Sequence, residues 1–133
     1  MAKHGDILEV RYQHPTIGTN IFHAVSSQSN ELDLGGRRSE DDENKVTTTG
    51  IMIDSMSFKR GSLSVLVESD NNVREDQRVL GELAADSVDA TWTVTLMSGA
   101  VYVGVGKPVG EIKGDVYAGT VQMKIGVPFF SKV

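Results

Sequence analysis

Ala90-Thr91-Trp92-Thr93-Val94-Thr95-Leu96, then Met97-Ser98-Gly99-Ala100, then Val101-Tyr102-Val103-Gly104-Val105, place an apolar residue at every second position of two successive runs. Successive side chains leave a strand on opposite faces, so strict alternation marks a half-buried β-strand. Ala90, Trp92, Val94 and Leu96 take one face and three threonines the other. Val101, Val103 and Val105 continue the pattern after Ser98-Gly99, read as a two-residue turn closing a hairpin. The expected core residues here are Trp92, Val94, Leu96, Val101 and Val103. Trp92, set among threonines, is assigned to the core rather than to a binding surface.

The same period recurs outward from this hairpin. Val121, Met123 and Ile125 alternate with Thr120, Gln122 and Lys124, and Leu63, Val65 and Val67 with Ser62, Ser64, Leu66 and Glu68. Residues 7–12 and 20–25 read as strands around a turn at His14-Pro15-Thr16-Ile17-Gly18. Thr47 to Phe58 reads as extended, and Gly106 to Lys113 as an edge or bend because it contains Pro108. One amphipathic helix is predicted over residues 73–85. Asn72 is its N-cap, Glu75 closes a capping box, and Leu80 and Leu83 lie on the buried stripe with Val73, Gln77 and Ala84. With no internal repeat or linker, residues 1–133 form a single domain. The expected fold is mainly β: two packed antiparallel sheets, sandwich- or barrel-like, with one flanking α-helix and a long charged loop.

That loop is Gly35-Gly36-Arg37-Arg38-Ser39-Glu40-Asp41-Asp42-Glu43-Asn44-Lys45. A segment this polar does not bury itself, and a long one is usually functional or disordered. Its charges are segregated: Arg37 and Arg38 stand before Glu40, Asp41, Asp42 and Glu43. The basic end of one subunit suits the acidic end of another, which points to a self-assembling structural protein. A solvated charged loop is the plainer alternative.

Composition narrows the function. The net charge of −5 opposes gripping nucleic acid, which needs basic surface to displace counterions. It does not oppose DNA passing along a repulsive wall. One Trp, three Tyr and four Phe are too few for the stacking platforms of single-strand binders. The chain has no cysteine, so thiolate metal sites are excluded. No secretory signal and no apolar run of membrane length is read, which predicts a protein made and kept in a cytoplasm unless assembly carries it elsewhere.

No catalytic, cofactor or metal motif survives inspection. Gly104-Val105-Gly106-Lys107-Pro108-Val109-Gly110 fails as a phosphate loop: Val101 stands where the first glycine belongs, and Pro108 where a hydroxyl should bind magnesium. His4, His14 and His23 have no carboxylates at metal-ligand spacing. The acidic run lacks the alternating ligands and central glycine of a calcium loop. No Ser, Thr or Lys has a base beside it, so no enzyme activity is expected.

Three blocks in collinear order carry a resemblance. They are Gly35 to Asn44 with Thr49-Gly50-Ile51-Met52-Ile53-Asp54; Leu80-Gly81-Glu82-Leu83-Ala84-Ala85-Asp86 with Ala90-Thr91-Trp92-Thr93; and Ser98 to Tyr102, Gly104 to Ile112 and Ala118 to Val121. Over about two-thirds of the chain the sequence resembles the tail tube proteins of tailed bacteriophages, which are related to the tubes of contractile injection machines. The resemblance implies six subunits in a ring, one sheet of each joining a continuous barrel around a lumen. It implies rings stacked into a tube through which genomic DNA leaves the virion. By position, the ring-stacking element is the loop with Arg37, Arg38, Glu40, Asp41, Asp42, Glu43 and Lys45, and the helix lies outside the barrel.

Ring closure would remove exposed strand edges, which otherwise pair with other chains. Asp54 and Glu68, in extended segments flanking the loop, are the lumen candidates. Expected partners are the chain itself and other tail proteins, with DNA passing without specific binding and no membrane in the assembled tube. The expected location is the virion tail, after assembly in the host cytoplasm. Rival readings are a tube subunit of a related injection or secretion machine, a monomeric small β-barrel binding module, and an enzyme using the acidic loop.

Overall fold

The computed structural model describes residues 6–25, 30–39, 45–53 and 56–133. Most of the described chain lies in β1 (Ile7–His14), β2 (Gly18–His23), β3 (Glu31–Asp33), β4 (Gly36–Ser39), β5 (Lys45–Val46), β6 (Met52–Ile53), β7 (Met56–Lys59) and β8 (Gly61–Glu68). After the helix α1 (Asp76–Ala85) follow β9 (Ala90–Leu96), β10 (Val101–Pro108), β11 (Lys113–Asp115), β12 (Thr120–Val127) and β13 (Ser131–Lys132). Among the described residues the fold is mainly β with one short helix.

All pairings are antiparallel, in the order β2-β1-β9-β10-β12-β8-β3. β10 belongs to two layers: residues 101–106 pair with β9, while Lys107 and Pro108 pair with β12. On the opposite side, Ala24 bridges Val67 and the Val25 N–H donates to the Leu66 carbonyl. The continuation of β2 thereby meets β8, and the two layers touch on both sides of the core.

Alternation fills that core. Leu63, Val65 and Val67 of β8 meet Val121, Met123 and Ile125 of β12, and Val10, Tyr12, Phe22, Trp92 and Val94 come from the other layer. Tyr12 sits opposite Trp92 in register, with ring centroids 5.7 Å apart, and Phe22 extends the aromatic row from Tyr12 at 5.6 Å. Leu80 and Leu83 of α1 are buried in the same cluster, and Leu96 packs against it half-buried.

β10 departs from the expected parity. Val103 lies opposite Thr93 and Val101 opposite Thr95, so both valines share the threonines' outer face and are only half-buried. The inward positions belong to Tyr102, Gly104 and Gly106. Alternation identifies two faces but not which one is buried. Here the indole settles it: Trp92 Nε1 donates to the Gly106 carbonyl at 3.0 Å. A Cβ on Gly106 would stand 2.0 Å from the Gly126 carbonyl oxygen, so only glycine permits this crossing of β10 and β12. The turn before β10 is also longer than expected. Leu96 N–H donates to the Ala100 carbonyl, leaving Met97, Ser98 and Gly99 as a three-residue loop, with Gly99 at φ 95°.

The helix begins at Asp76, three residues later than expected, and Asn72 is not its cap. Asp70 captures the preceding turn: its Oδ1 accepts the N–H groups of Asn72 and Val73. Asp70 and Asp76 then bond reciprocally, Asp70 N–H to Asp76 Oδ2 at 2.8 Å and Asp76 N–H to the Asp70 carbonyl at 2.9 Å. Glu75 passes through the left-handed region at φ 52° to join them. Short polar side chains that bond nearby backbone compete with helix, and here they delay it. Val73, expected on the buried stripe, is left in solvent.

Candidate assembly surfaces

The expected loop at residues 35–45 is in part regular structure. Gly36 to Ser39 form β4, paired with β7 so that Arg37 faces Phe58 and Arg38 faces Ser57 in register. Further along, Lys45 pairs with Ile53 and Val46 with Met52, and a tight turn joins these strands through the bond from Thr47 N–H to the Ile51 carbonyl. The stretch expected to be extended from Thr47 to Phe58 thus holds a reversal. Neither ladder joins the main sheet. The β4–β7 and β5–β6 ladders, an arm of two short ribbons, thus stand outside the main sheet.

Antiparallel ribbons of this kind present solvent on both edges. The arm also exposes apolar side chains: Val46 at 67% and Ile51 at 64% on either side of the turn. At its root the exposed rings of Phe58 and Phe129 meet edge to face at 6.3 Å, beside half-exposed Leu34. The root is tied to the body by the Gly35–Phe129 bridge and by Phe130 N–H donating to the Leu34 carbonyl.

Arg37 is exposed on this arm. Glu40, Asp41, Asp42 and Glu43 lie outside the described residues, as does Asp54 of the two lumen candidates. Glu68, the other candidate, ends β8 and is half-exposed. It does not stand alone: Arg74 lies 3.6 Å from it, 3.2 Å from buried Asp76 and 3.7 Å from Asp70. Three carboxylates thus share one guanidinium. The backbone bonds to Asp70 from Asn72 and Val73 hold its carboxyl below the usual carboxylate range. Burial, with Asp76 nearby, pushes the Tyr12 hydroxyl up.

The same end of β8, away from Gly61 where the arm returns to the body, carries a surface the sequence reading missed. Asp115 Oδ1 accepts the N–H groups of Tyr117 and Ala118, and its carbonyl accepts that of Gly119. This rigid turn holds Val116 at 83% exposure and Tyr117 wholly in solvent. Ser69 N–H donates to the Gly119 carbonyl, which sets the turn beside the loop bearing exposed Val73. The signal was present: two apolar residues occupy the centre of a turn bounded by Asp115 and Gly119, where polar residues are usual.

His14 is buried. Its Nδ1 accepts the N–H groups of Thr16 and Ile17 at 3.1 Å, and its Nε2 donates to the Val88 carbonyl at 3.0 Å. These bonds make it a fastener between the β1–β2 turn and the segment after α1. Among the described residues no group of three His, Asp or Glu side chains is placed to hold a metal ion. The surface grooves are open ones: one of about 460 Å³ is lined by Glu31, Asp33, Ser62, Ser64 and Lys124. No helix among the described residues is long and apolar enough to cross a membrane. No family model matches the chain, and no curated protein is significantly similar to it.

Proposed function

We propose that this chain is a non-enzymatic structural subunit whose hexameric rings stack into a bacteriophage tail tube, the conduit for genomic DNA. The observation that supports the reading is the arm of two short ladders, β4 with β7 and β5 with β6, outside the main sheet. Two-stranded ladders are marginal by themselves in water, and these keep Val46, Ile51 and Phe58 in solvent. Such an element is stable when another chain covers it. The collinear resemblance to tail tube proteins supplies the kind of partner, further copies of the same chain, with other tail proteins at the ends. The charge of −5 suits DNA that slides past without specific binding. The subunit would assemble in the host cytoplasm and reside in the virion tail. A tube subunit of a related contractile machine is the second reading, supported by the same residues.

The test is size-exclusion chromatography of the purified full chain with negative-stain microscopy. Rings, and tubes at higher concentration, are expected. A strictly monomeric species at every concentration refutes both tube readings and leaves the binding-module alternative.

A further inference from the structure

We infer that His14 is an acid-sensitive fastener: protonation of its ring releases the β1–β2 turn while the ring stays moored to the segment after α1. None of the groups involved belongs to the arm, so the device is independent of the tube reading. His14 closes the β1–β2 hairpin opposite Gly18 in register, and its side chain is 1% exposed. Three groups converge on Nδ1: the N–H groups of Thr16 and Ile17 at 3.1 Å and the Thr16 hydroxyl at 3.2 Å. The two N–H groups can only donate. Nδ1 therefore carries a lone pair and Nε2 the hydrogen, which goes to the Val88 carbonyl at 3.0 Å. The fold thus selects one tautomer of the neutral imidazole.

Acid places the second proton on Nδ1, the one ring nitrogen still without hydrogen. An imidazolium donates from both nitrogens, so its Nδ1–H points at two N–H groups that have lost their acceptor. Those amides regain partners by turning out to water, which exposed Thr16 already borders. The far side of the ring behaves in the opposite way. Nε2 keeps its hydrogen and its bond to Val88, and Asp86 Oδ2 stands 3.6 Å from it, facing the new charge. The other charged groups at the site are Asp89, which lines an open groove of about 480 Å³ beside His14, and Lys107. Lys107 lies 3.3 Å from Asp89 and donates to the Asp86 carbonyl. Two carboxylates against one ammonium leave negative charge on the mooring side, while Pro15, Thr16, Ile17 and Gly18 of the turn carry none. The conflict is therefore relieved by movement of the turn, not of the ring.

The turn has something to release. Ile17 packs half-buried against the core, and β2 is an outermost strand of the main sheet, paired in the ladder with β1 alone. Opening the closed end of the hairpin uncovers Ile17 and loosens that edge. Histidine is the side chain whose unperturbed charge change falls between about pH 5 and 8, so the device acts where ordinary carboxylates stay ionised.

The ring and the amides are read separately in the full chain by nuclear magnetic resonance. Above the ring's titration, the His14 nitrogens should show hydrogen on Nε2. Amide protection at Thr16 and Ile17, corrected for the intrinsic exchange rate, should fall by about tenfold per pH unit over the range in which the ring takes up its proton. Asp86→Asn changes the charge beside Nε2 and keeps an acceptor for the Val88 N–H. In this variant too, the ring and amide transitions should coincide. His14→Asn offers a short acceptor to the same two N–H groups without a titrating ring, and should make their protection independent of pH. Hydrogen on Nδ1 of the neutral ring, protection that is constant through the ring's titration, or transitions that diverge in Asp86→Asn overturns the inference. So does pH-dependent protection that survives in His14→Asn; if that variant does not fold, the first three readings decide.

Discussion

Trp92→Ala should be among the most damaging single substitutions in the described core. The indole is fully buried between the layers, stacked toward Tyr12 at 5.7 Å, and its N–H satisfies the Gly106 carbonyl where β10 passes from β9 to β12. Deleting a buried tryptophan side chain costs about 3–5 kcal/mol through lost transfer energy and the cavity left behind. A domain of this size has roughly 5–15 kcal/mol in all, so the variant should stand near its folding limit. Trp92→Phe separates the two contributions. It keeps an aromatic ring but removes the bond to the Gly106 carbonyl, which retains its place opposite Ala90 in the ladder, a loss of about 0.5–1.5 kcal/mol. Thr93→Ala is the control. It lies on the opposite face, between Arg11 and Val103 in register, and should cost under about 1 kcal/mol in the monomer. Urea denaturation followed by far-ultraviolet circular dichroism is the assay, since the only tryptophan is the residue removed. Equal shifts for Trp92→Ala and Thr93→Ala, or a neutral Trp92→Phe, would refute the burial and hydrogen-bond argument.

Gly106→Ala should destabilise more than Gly104→Ala in the same assay. The new Cβ of the former meets a backbone oxygen at 2.0 Å, whereas that of the latter meets only side-chain atoms of Phe130 and Val127 at 3.0–3.2 Å, which can shift; the reverse order would show that the two strands part easily at this crossing. Acid should open the turn before α1 early. The Asp70 carboxyl is held below its ordinary range by Asn72 and Val73, so its contribution is complete above that range and lost as pH falls through the lowered value. Amide hydrogen exchange at Asn72 and Val73 should therefore accelerate, relative to the intrinsic rate, on acidification. Protection that does not change with pH would rule out the carboxylate as its source.

The strands were legible where alternation was long and its two faces chemically distinct. Leu63, Val65 and Val67, and Val121, Met123 and Ile125, face inward with polar residues opposite, and their pairing follows. Alternation of valine with glycine in β10 was ambiguous, because glycine gives no polarity to its face. Its burial depends on a tryptophan fourteen residues earlier in sequence and on the close passage of Gly126. The helix was visible in Leu80 and Leu83, but its start was not. Asn72 and Glu75 satisfy a capping rule locally, yet the bonds joining Asp70 and Asp76 are better partners for the same backbone groups. Within the charged loop the strand Gly36–Ser39 was not legible, because the ladder pairing Arg37 with Phe58 spans residues whose side chains show no clean alternation.

The location of unpaired edges bears directly on self-assembly. An open sandwich would leave long strands exposed at both sides, and ring closure would be one way to cover them. In this chain Ala24 reaches Val67, and β10 joins the layers on the other side, so the body already covers much of its own edge. β3 shields only residues 62–64 of β8 and is itself three residues long, a device that discourages further pairing. Among the described residues, the outer edges of β2, β11 and β13 and the two-stranded arm remain. The arm alone combines free edges with exposed Val46, Ile51 and Phe58, and apolar area removed from water stabilises at about 25 cal/mol per Å². On the proposed tube reading, the driving force for association would therefore lie more in covering the arm than in completing the main sheet. On that account substitutions along β2 should weaken contacts of one kind and those at Val46 or Ile51 another, because the two surfaces belong to separate parts of the molecule.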